Sequence, residues 1–586
     1  MTNKNESIGS NQVSFNRDQV IVQEKNNNEI GYKRLVLMWG LILLGYFLFV
    51  VQWYSISNFS GGYGKNIGSI SNAALNAMPN WTITLMRGVG SVLAGWLMVK
   101  IGHKYSVITV LSLMVLSFPF IIFASISGIG NPTPDGSGGE YYPVNFGMFL
   151  FWRLFLAIGG TTLITYTNSV IAKMPVAERP KYLRINQFGF NGGALFANIF
   201  FCFGISKVIN GGDAWIYILS AFVVLIAILL VMYLIFGKEV VPVQRSLNKN
   251  AGNITDANEL TFGKVLKQSY TWKMSTIFIV WLVAVVFINS GSMRNVIEQS
   301  PANFKALVEW NWLNQESLKT IVNGEAKYSW ADAMAKSTLS TNSSVVVGSG
   351  YEWVWPTFIC MFVSGFFVGL FIIAPFNKTI YKRKFFIHLM FAIGYVFAFM
   401  SLMIGYFGGY NNKVALAFFL IFIFISGIFL WSVQPVLLTL YQQCPQASPK
   451  YAGIIAGLIW GIGYVGYTVV ELLLSVALSY ANPFPFAGNI KSVMDALVQA
   501  NTDGSLTANP SLIFGNSTYM SLAKSTETAG AIIVWIGFAI VCGLVFLPIQ
   551  MLPPAGIKDK DGNFIPFTKT WKPWEWNFKK KEILIQ

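Results

Sequence analysis

The amino-acid sequence predicts an all-α membrane protein of twelve transmembrane helices in two pseudo-symmetric six-helix halves. Three observations predict it. The 586 residues are 54% hydrophobic and 16% aromatic but only 11% charged, whereas soluble domains carry about a quarter charged residues. So few charges cannot solvate a surface, and most of the chain must face lipid or itself. Apolar runs of about 20 residues, the length that crosses a bilayer as helix, recur from end to end. A polar stretch, "QRSLNKNAGNITDANE", divides those runs six and six.

The predicted spans fall near 35–57, 79–99, 105–127, 146–171, 185–206, 214–236, 274–293, 353–374, 385–407, 414–440, 452–479 and 530–552. The domain order follows: a tail 1–34, an N-terminal half 35–236, a linker 237–272, a C-terminal half 273–552 and a basic tail 553–586. The first tail is polar and Asn-rich and reads as disordered. No charged-then-apolar leader with a small-residue cleavage site precedes the first span. Two segments between spans are long, 294–352 and 480–529. Within the first, "ANFKALVEWNWLNQESLKTIV" suits short helices, as a cap that captures solute or as a lid without that role.

The chain has 41 Lys+Arg against 25 Asp+Glu. With a cytoplasmic N-terminus, the N-tail, the even-to-odd loops and the C-tail hold most of the Lys and Arg, the positive-inside pattern. The excess therefore reports orientation and contact with anionic lipid headgroups, not nucleic acid. The tail "KTWKPWEWNFKKK" mixes Trp with Lys as interfacial segments do and reads as a solvated anchor. Cys202, Cys360, Cys444 and Cys542 lie dispersed in apolar runs and read as packing residues. No metal or cofactor is expected. His103 and His388 fall near the predicted cytoplasmic rim, and no nucleophile–base–acid set is visible, which argues against an enzyme. The lack of a P-loop signature argues against an ATP-driven pump. A monomer is expected.

Residues 95–107, "GWLMVKIGHKYSV", join spans two and three. Gly102 supplies the backbone freedom a very short turn needs. Lys100 and Lys104 are expected to cap the helix ends and hold the loop on the cytoplasmic side. The stretch resembles the signature loop of the major facilitator superfamily, G-x-L-x-D-R/K-x-G-R-R/K. Gly95, Leu97, Lys100, Gly102 and Lys104 match, while Val99 replaces the acid and His103 an arginine. "RLFLAIGG" in span four resembles the family's R-x-x-x-G-x-G, with Arg153 and Gly159 matching and Ala157 in place of the first glycine. "MPVAERPKYLR" resembles its basic connection into span five, and "FNKTIYKRK" is a degenerate copy of the opening loop. The resemblance implies a secondary transporter working by alternating access, with the solute near the midplane between halves and Gly95, Lys100, Gly102 and Lys104 as a gating loop. In the family the loop acid pairs across the halves and helps to lock one conformation. Val99 cannot do so, so that lock is absent or built from other residues.

An internal repeat supports two halves independently. "RPKYLRINQFGFNGGALF" opens span five and "SPKYAGIIAGLIWGIGYV" opens span eleven, with Pro180-Lys181-Tyr182 and Pro449-Lys450-Tyr451 in corresponding places. Gln187, Asn191 and Asn198 share one helical face, as do Trp460, Tyr464, Tyr467 and Glu471. The repeat offset sets Asn191 against Trp460 and Asn198 against Tyr467, which predicts two polar stripes facing one cavity. Interhelical hydrogen bonding between packed spans is the competing reading. Polar groups inside hydrocarbon are costly and mark pathways or partners. Arg87 and Arg153 are the cations within spans, and Glu471 is the carboxylate. Arg87 either faces the cavity or snorkels outward; Arg153 serves structure, gating or solute contact. Gln52, Trp53, Asn289 and Gln434 are further cavity candidates, and Arg294 reads as interfacial.

Two arginines against one glutamate favour an organic anion such as a sugar phosphate, held by bidentate guanidinium contacts. The aromatic face of span eleven favours instead a neutral sugar or nucleoside stacked on Trp460. A third reading is a membrane receptor that kept the fold and lost transport, which Val99 and the two long segments support. Protons or a counter-solute are the expected co-substrates. The topology yields a direct test. A membrane-impermeant thiol reagent applied to intact cells should label a cysteine placed at Ser340 and miss one placed at Asn250; the reverse pattern overturns the orientation.

Overall fold

The computed structural model describes residues 30–58, 67–69, 73–126, 128–134, 140–175, 178–199, 214–240, 266–267, 269–298, 300, 303, 353–372, 383–440, 449–481 and 532–551, with short pieces at 319–322, 325–328, 506–507, 555–558, 564–566 and 584–585. Helices occupy all twelve predicted span positions. In the first half these are α1 (Tyr32–Asn58), α2 (Ala73–Ile101), α3 (His103–Ile126), α4 (Pro143–Lys173), the pair α5 (Arg179–Asn186) and α6 (Phe188–Ile199), and α7 (Ala214–Phe236). The second half holds α8 (Ser269–Ile288), the short α9 (Gly291–Glu298), α10 (Val354–Ile372), α11 (Arg383–Gly408), α12 (Lys413–Leu440) and α13 (Pro449–Ala481), then α14 (Ile532–Ile549). Ten described helices are long and apolar enough to cross a membrane; α2 and the α5–α6 pair take the positions of spans two and five. Most of the predicted linker, both tails' outer parts, most of the two long segments, Cys202 and Cys444 lie outside the described residues. Cys360 is buried and Cys542 half-buried, both as free thiols.

Two apolar cores form, one within α1–α7 and one within α8–α14. Phe190 packs against both. The halves meet chiefly through α2 against α13, and also through α4 against α13 and α6 against α10. The α2–α13 seam has a sequence cause. A Cβ added at Gly461 would lie 2.8 Å from the Gly88 carbonyl oxygen, and one at Gly457 would lie 2.5 Å from that of Ser91. Only glycine lets these backbones approach so closely. Further along the seam the Thr84 and Thr468 hydroxyls lie 2.8 Å apart, a polar contact between halves. Phe188 and Phe367 join α6 to α10 with ring centres 4.7 Å apart. The end of the bundle that carries the Gly102 turn is called here the basic end.

That turn is built as the sequence requires, with one substitution of parts. Gly102 adopts φ +86°, which side chains disfavour. Lys100 ends α2, where a cation suits the helix dipole. Lys104 lies in the first turn of α3, the positive end of that dipole, so it cannot cap that end as expected. Glu239, just beyond α7, does so instead: its carboxylate accepts the backbone N–H of His103 at 2.5 Å and of Lys104 at 3.2 Å. The loop thus obtains an acid that Val99 does not supply, from the first residues of the linker that follows α7. His103 is fully buried. Its Nε2 lies 3.2 Å from the Tyr166 carbonyl and its Nδ1 3.3 Å from the Tyr233 hydroxyl.

Three small antiparallel sheets lie outside the helices. β1 (Gly68–Ser69), β2 (Thr133–Pro134) and β3 (Glu140–Tyr141) pair in the order β1-β3-β2. β4 (Lys319–Val322) pairs with β5 (Glu325–Tyr328), which pairs with β6 (Leu506–Thr507). This corrects the helical expectation for the end of "ANFKALVEWNWLNQESLKTIV". Its KTIV is a strand because β-branched residues precede Asn323-Gly324, the dipeptide that most favours a hairpin. The sheet also ties the two long segments to each other. β7 (Ala555–Lys558), β8 (Phe564–Pro566) and β9 (Leu584–Ile585) form a third sheet; the "KTWKPWEWNFKKK" stretch, read as an anchor, lies outside the described residues.

The Glu239 clamp is testable. Glu239→Ala removes two charge-assisted hydrogen bonds at a helix N-terminus, a loss of about 1–3 kcal/mol. Thermal unfolding of the purified variant should begin at lower temperature, and Glu239→Gln, which keeps an acceptor, should recover part of the difference.

Candidate functional site

The middle of α2 carries Arg87, which is 1% exposed. It does not snorkel outward. Its guanidinium carbon lies 4.5 Å from the ring centre of Trp53 on α1, 5.1 Å from Phe190 on α6 and 4.0 Å from Tyr464 on α13. Its Nη2 donates to the Tyr46 hydroxyl at 3.3 Å, and its Nε has no partner. The cage therefore takes its walls from both halves, and among the described residues no carboxylate pairs with it.

Magnitudes show what the cage achieves. A desolvated cation–π contact contributes about 2 kcal/mol, so three rings supply about 6 kcal/mol at most. Removing a guanidinium from water still costs several kcal/mol after relaxation. The rings bring burial near balance.

From the cage a circuit of rings continues through the second half and returns. Tyr464 stacks on Trp460 with centres 5.5 Å apart, and Trp460 meets Phe278 of α8 at 4.8 Å. Phe278 meets Trp281 at 5.3 Å, Trp281 meets Trp431 of α12 at 5.8 Å, and Trp431 returns to Phe190 at 6.3 Å. Trp281 Nε1 donates to the Leu430 carbonyl at 3.1 Å. Trp431 Nε1 and Trp460 Nε1, by contrast, are buried with no acceptor among the described residues. So are two acceptors nearby in sequence, Asn191 Oδ1 beside Phe190 and Gln434 Oε1 one turn from Trp431. Each such orphan costs about 1–3 kcal/mol when nothing fills it.

The other predicted residues divide. Trp460, Tyr464 and Tyr467 are all buried on one face of α13. Tyr467 interacts through its hydroxyl with the half-buried Glu471, whose Oε2 has no partner. Gln187 marks the break between α5 and α6, and its carbonyl accepts both the backbone N–H and the Nδ2 of Asn191 at 3.2 and 3.3 Å. Asn198 donates to the Ala194 carbonyl at 2.8 Å. Arg153 is buried on α4 with its guanidinium 4.9 Å from the ring of Phe149, one turn away on its own helix. Its cation–π contact is with that helix, not with the rings around Arg87. Of the loop residues, Gly95 and Gly102 are buried, Lys100 is exposed and Lys104 is half-exposed at the basic end.

The sequence did not single out Tyr46, Phe190, Phe278, Trp281 or Trp431. It also missed Asn186, which accepts from Trp39 Nε1 and donates to Asn168 Oδ1, each at 3.3 Å, tying α1, α4 and α5 together. Gln187 stood next to it in the predicted stripe, but a contact between two helices leaves no mark in the spacing along either.

Twelve helical positions, two cores and a buried polar site between them define a multi-pass membrane transporter of the major facilitator type. The chain belongs to the Mycoplasma MFS transporter family, whose profile matches residues 149–479. It is similar to a major facilitator superfamily transporter of Mycoplasma pneumoniae, 25% identical over 92% of this chain and 97% of that protein. It is also similar to one of Mycoplasma genitalium, 24% identical over 95% of this chain and 97% of the relative. Among solved structures it is similar to a bacterial homologue of the human lysosomal transporter Spinster in an inward-facing, unoccupied conformation. That likeness is 11% identical with TM-score 0.48, covering 89% of this chain and 98% of the other.

A buried charge without a paired acid is a poor stabiliser, and replacing it with an apolar side chain of similar length is often neutral or stabilising. Arg87→Met should therefore unfold at the wild-type temperature or above it in a ligand-free thermal ramp. A fall of more than a few degrees would mean that Arg87 holds the fold together.

Proposed function

We propose that this protein is a secondary transporter that carries a small organic anion, such as a sugar phosphate, across the cell membrane by alternating access. Both termini lie on the cytoplasmic side in this reading, and the 237–272 linker joins the halves there. The carrying observation is Arg87: a buried guanidinium caged by rings of both halves, with no acid among its described partners. An anion seated there touches both halves at once, so its binding couples to their movement. Trp460, Tyr464 and Asn191 complete the site. A neutral sugar or nucleoside is the second reading, favoured by the stack of Trp460 on Tyr464.

Glu471 is the group through which protons would drive uphill transport. It lies two turns from Tyr464 on the same face of α13, with Tyr467 between them.

A thermal-shift screen of purified protein against glucose 6-phosphate, citrate, glucose and uridine tests the substrate class, since a ligand of the folded state raises apparent stability. The anions should shift the wild type and fail to shift Arg87→Met; a shift by glucose or uridine alone supports the neutral reading. In liposomes, Glu471→Gln should abolish proton-driven accumulation and keep exchange down the solute's own gradient. Loss of exchange together with stability would assign Glu471 a structural role.

A further inference from the structure

Three rings hold the Arg87 charge in place, but rings do not choose which way its N–H groups point. A π face attracts a cation through its quadrupole, and a guanidinium that turns about its central carbon keeps the same distance from that face. The choice falls to hydrogen bonds. Nη2 donates to the Tyr46 hydroxyl at 3.3 Å, while Nε has no partner among the described residues. The Tyr464 hydroxyl also interacts with Arg87. Tyr464, however, sits on α13 in the second half and leaves with it when the halves rock apart. Tyr46 and Arg87 lie on α1 and α2 of the same half, so their bond outlasts that movement.

Tyr46 is built into this position. It is 1% exposed. A Cβ at Gly189 would lie 2.9 Å from Cδ1 of its ring, so the glycine opens the slot that the phenol fills. Phe190, the next residue on α6, lies over the Arg87 charge. One dipeptide of α6 thus admits the phenol and covers the guanidinium. Phe49, one turn along α1, stacks on Tyr46 with ring centres 6.2 Å apart. The chemistry of the side chain matters as much as its place. A carboxylate here would orient the guanidinium and also cancel its charge. A phenol is neutral at physiological pH, so it orients the group and leaves the charge for the solute.

Resting on the reading of Arg87 as the anion holder, we infer that Tyr46 is a positioning residue for the solute: its bond to Nη2 fixes the direction of the remaining guanidinium N–H groups while the second half moves. Bidentate contact with an oxyanion depends on that direction, because the guanidinium fork is planar. An ammonium in the same place would have nothing to orient, being a point charge with rotatable donors.

Calorimetric titration of the full-length protein in nanodiscs with glucose 6-phosphate tests the role. Tyr46→Phe keeps the ring and deletes the acceptor; it should weaken binding about tenfold and leave the ligand-free unfolding temperature near that of the wild type. Arg87→Lys should also bind more weakly, and Tyr46→Phe added to Arg87→Lys should cost about twofold or less, since residues that act as one unit are not additive. In liposome exchange, Tyr46→Phe should raise KM and leave kcat unchanged. Wild-type affinity in Tyr46→Phe, additive losses in the double variant, or a fall in kcat at constant KM overturns the positioning role. The anion reading survives each of these results if Arg87→Lys and Arg87→Met bind more weakly than the wild type. If glucose 6-phosphate does not bind the wild type, the anion reading and this inference fall together.

Discussion

A positive charge buried at mid-depth, with aromatic faces in place of a carboxylate, organises the interface of this protein. Arg87 cannot be solvated by lipid, and its position on α2 keeps it from water. The rings of Trp53, Phe190 and Tyr464 spread the cost of that burial over three helices. Because Tyr464 belongs to the second half, separating the halves would remove the shortest of those contacts. The charge is thus an internal counterpart to the contacts between halves, and an anion would complete it.

Close packing makes that geometry possible. Glycines on α2 and α13 bring two backbones nearly into contact, which sets Tyr464 within 4.0 Å of the guanidinium. Side chains at Gly88 or Gly461 would push the helices apart and open the cage. The turn at the basic end has a brace of its own. Glu239 braces the α2–α3 turn at the same end, where the dipole of α3 would otherwise face Lys104 with no anion nearby.

The helices and the division into halves were legible in the sequence, because crossing hydrocarbon demands long apolar runs and satisfied backbone. The face of α13 was legible for a similar reason: Trp460, Tyr464 and Tyr467 recur at helical spacing and share a repeat offset with span five. Arg87 stood out because charge is rare there. The rest of the ring circuit did not stand out. In a chain that is 16% aromatic, Phe278, Trp281 and Trp431 look the same in sequence whether they face lipid, core or interface. Glu239 was hidden by distance, since it caps a helix start 136 positions earlier. The β4 strand was misread because its β-branched residues pair with β5, a partner that the apolar spacing governing the spans does not reveal.

The central claim is that Arg87 awaits the solute's anionic group in a cage shared by both halves. Cryo-electron microscopy of the protein with glucose 6-phosphate tests it most directly. The account predicts phosphate density within hydrogen-bonding distance of the Arg87 guanidinium, between α2 and α13. A map that places the ligand elsewhere, or that pairs Arg87 with an acidic side chain of the protein, would contradict it.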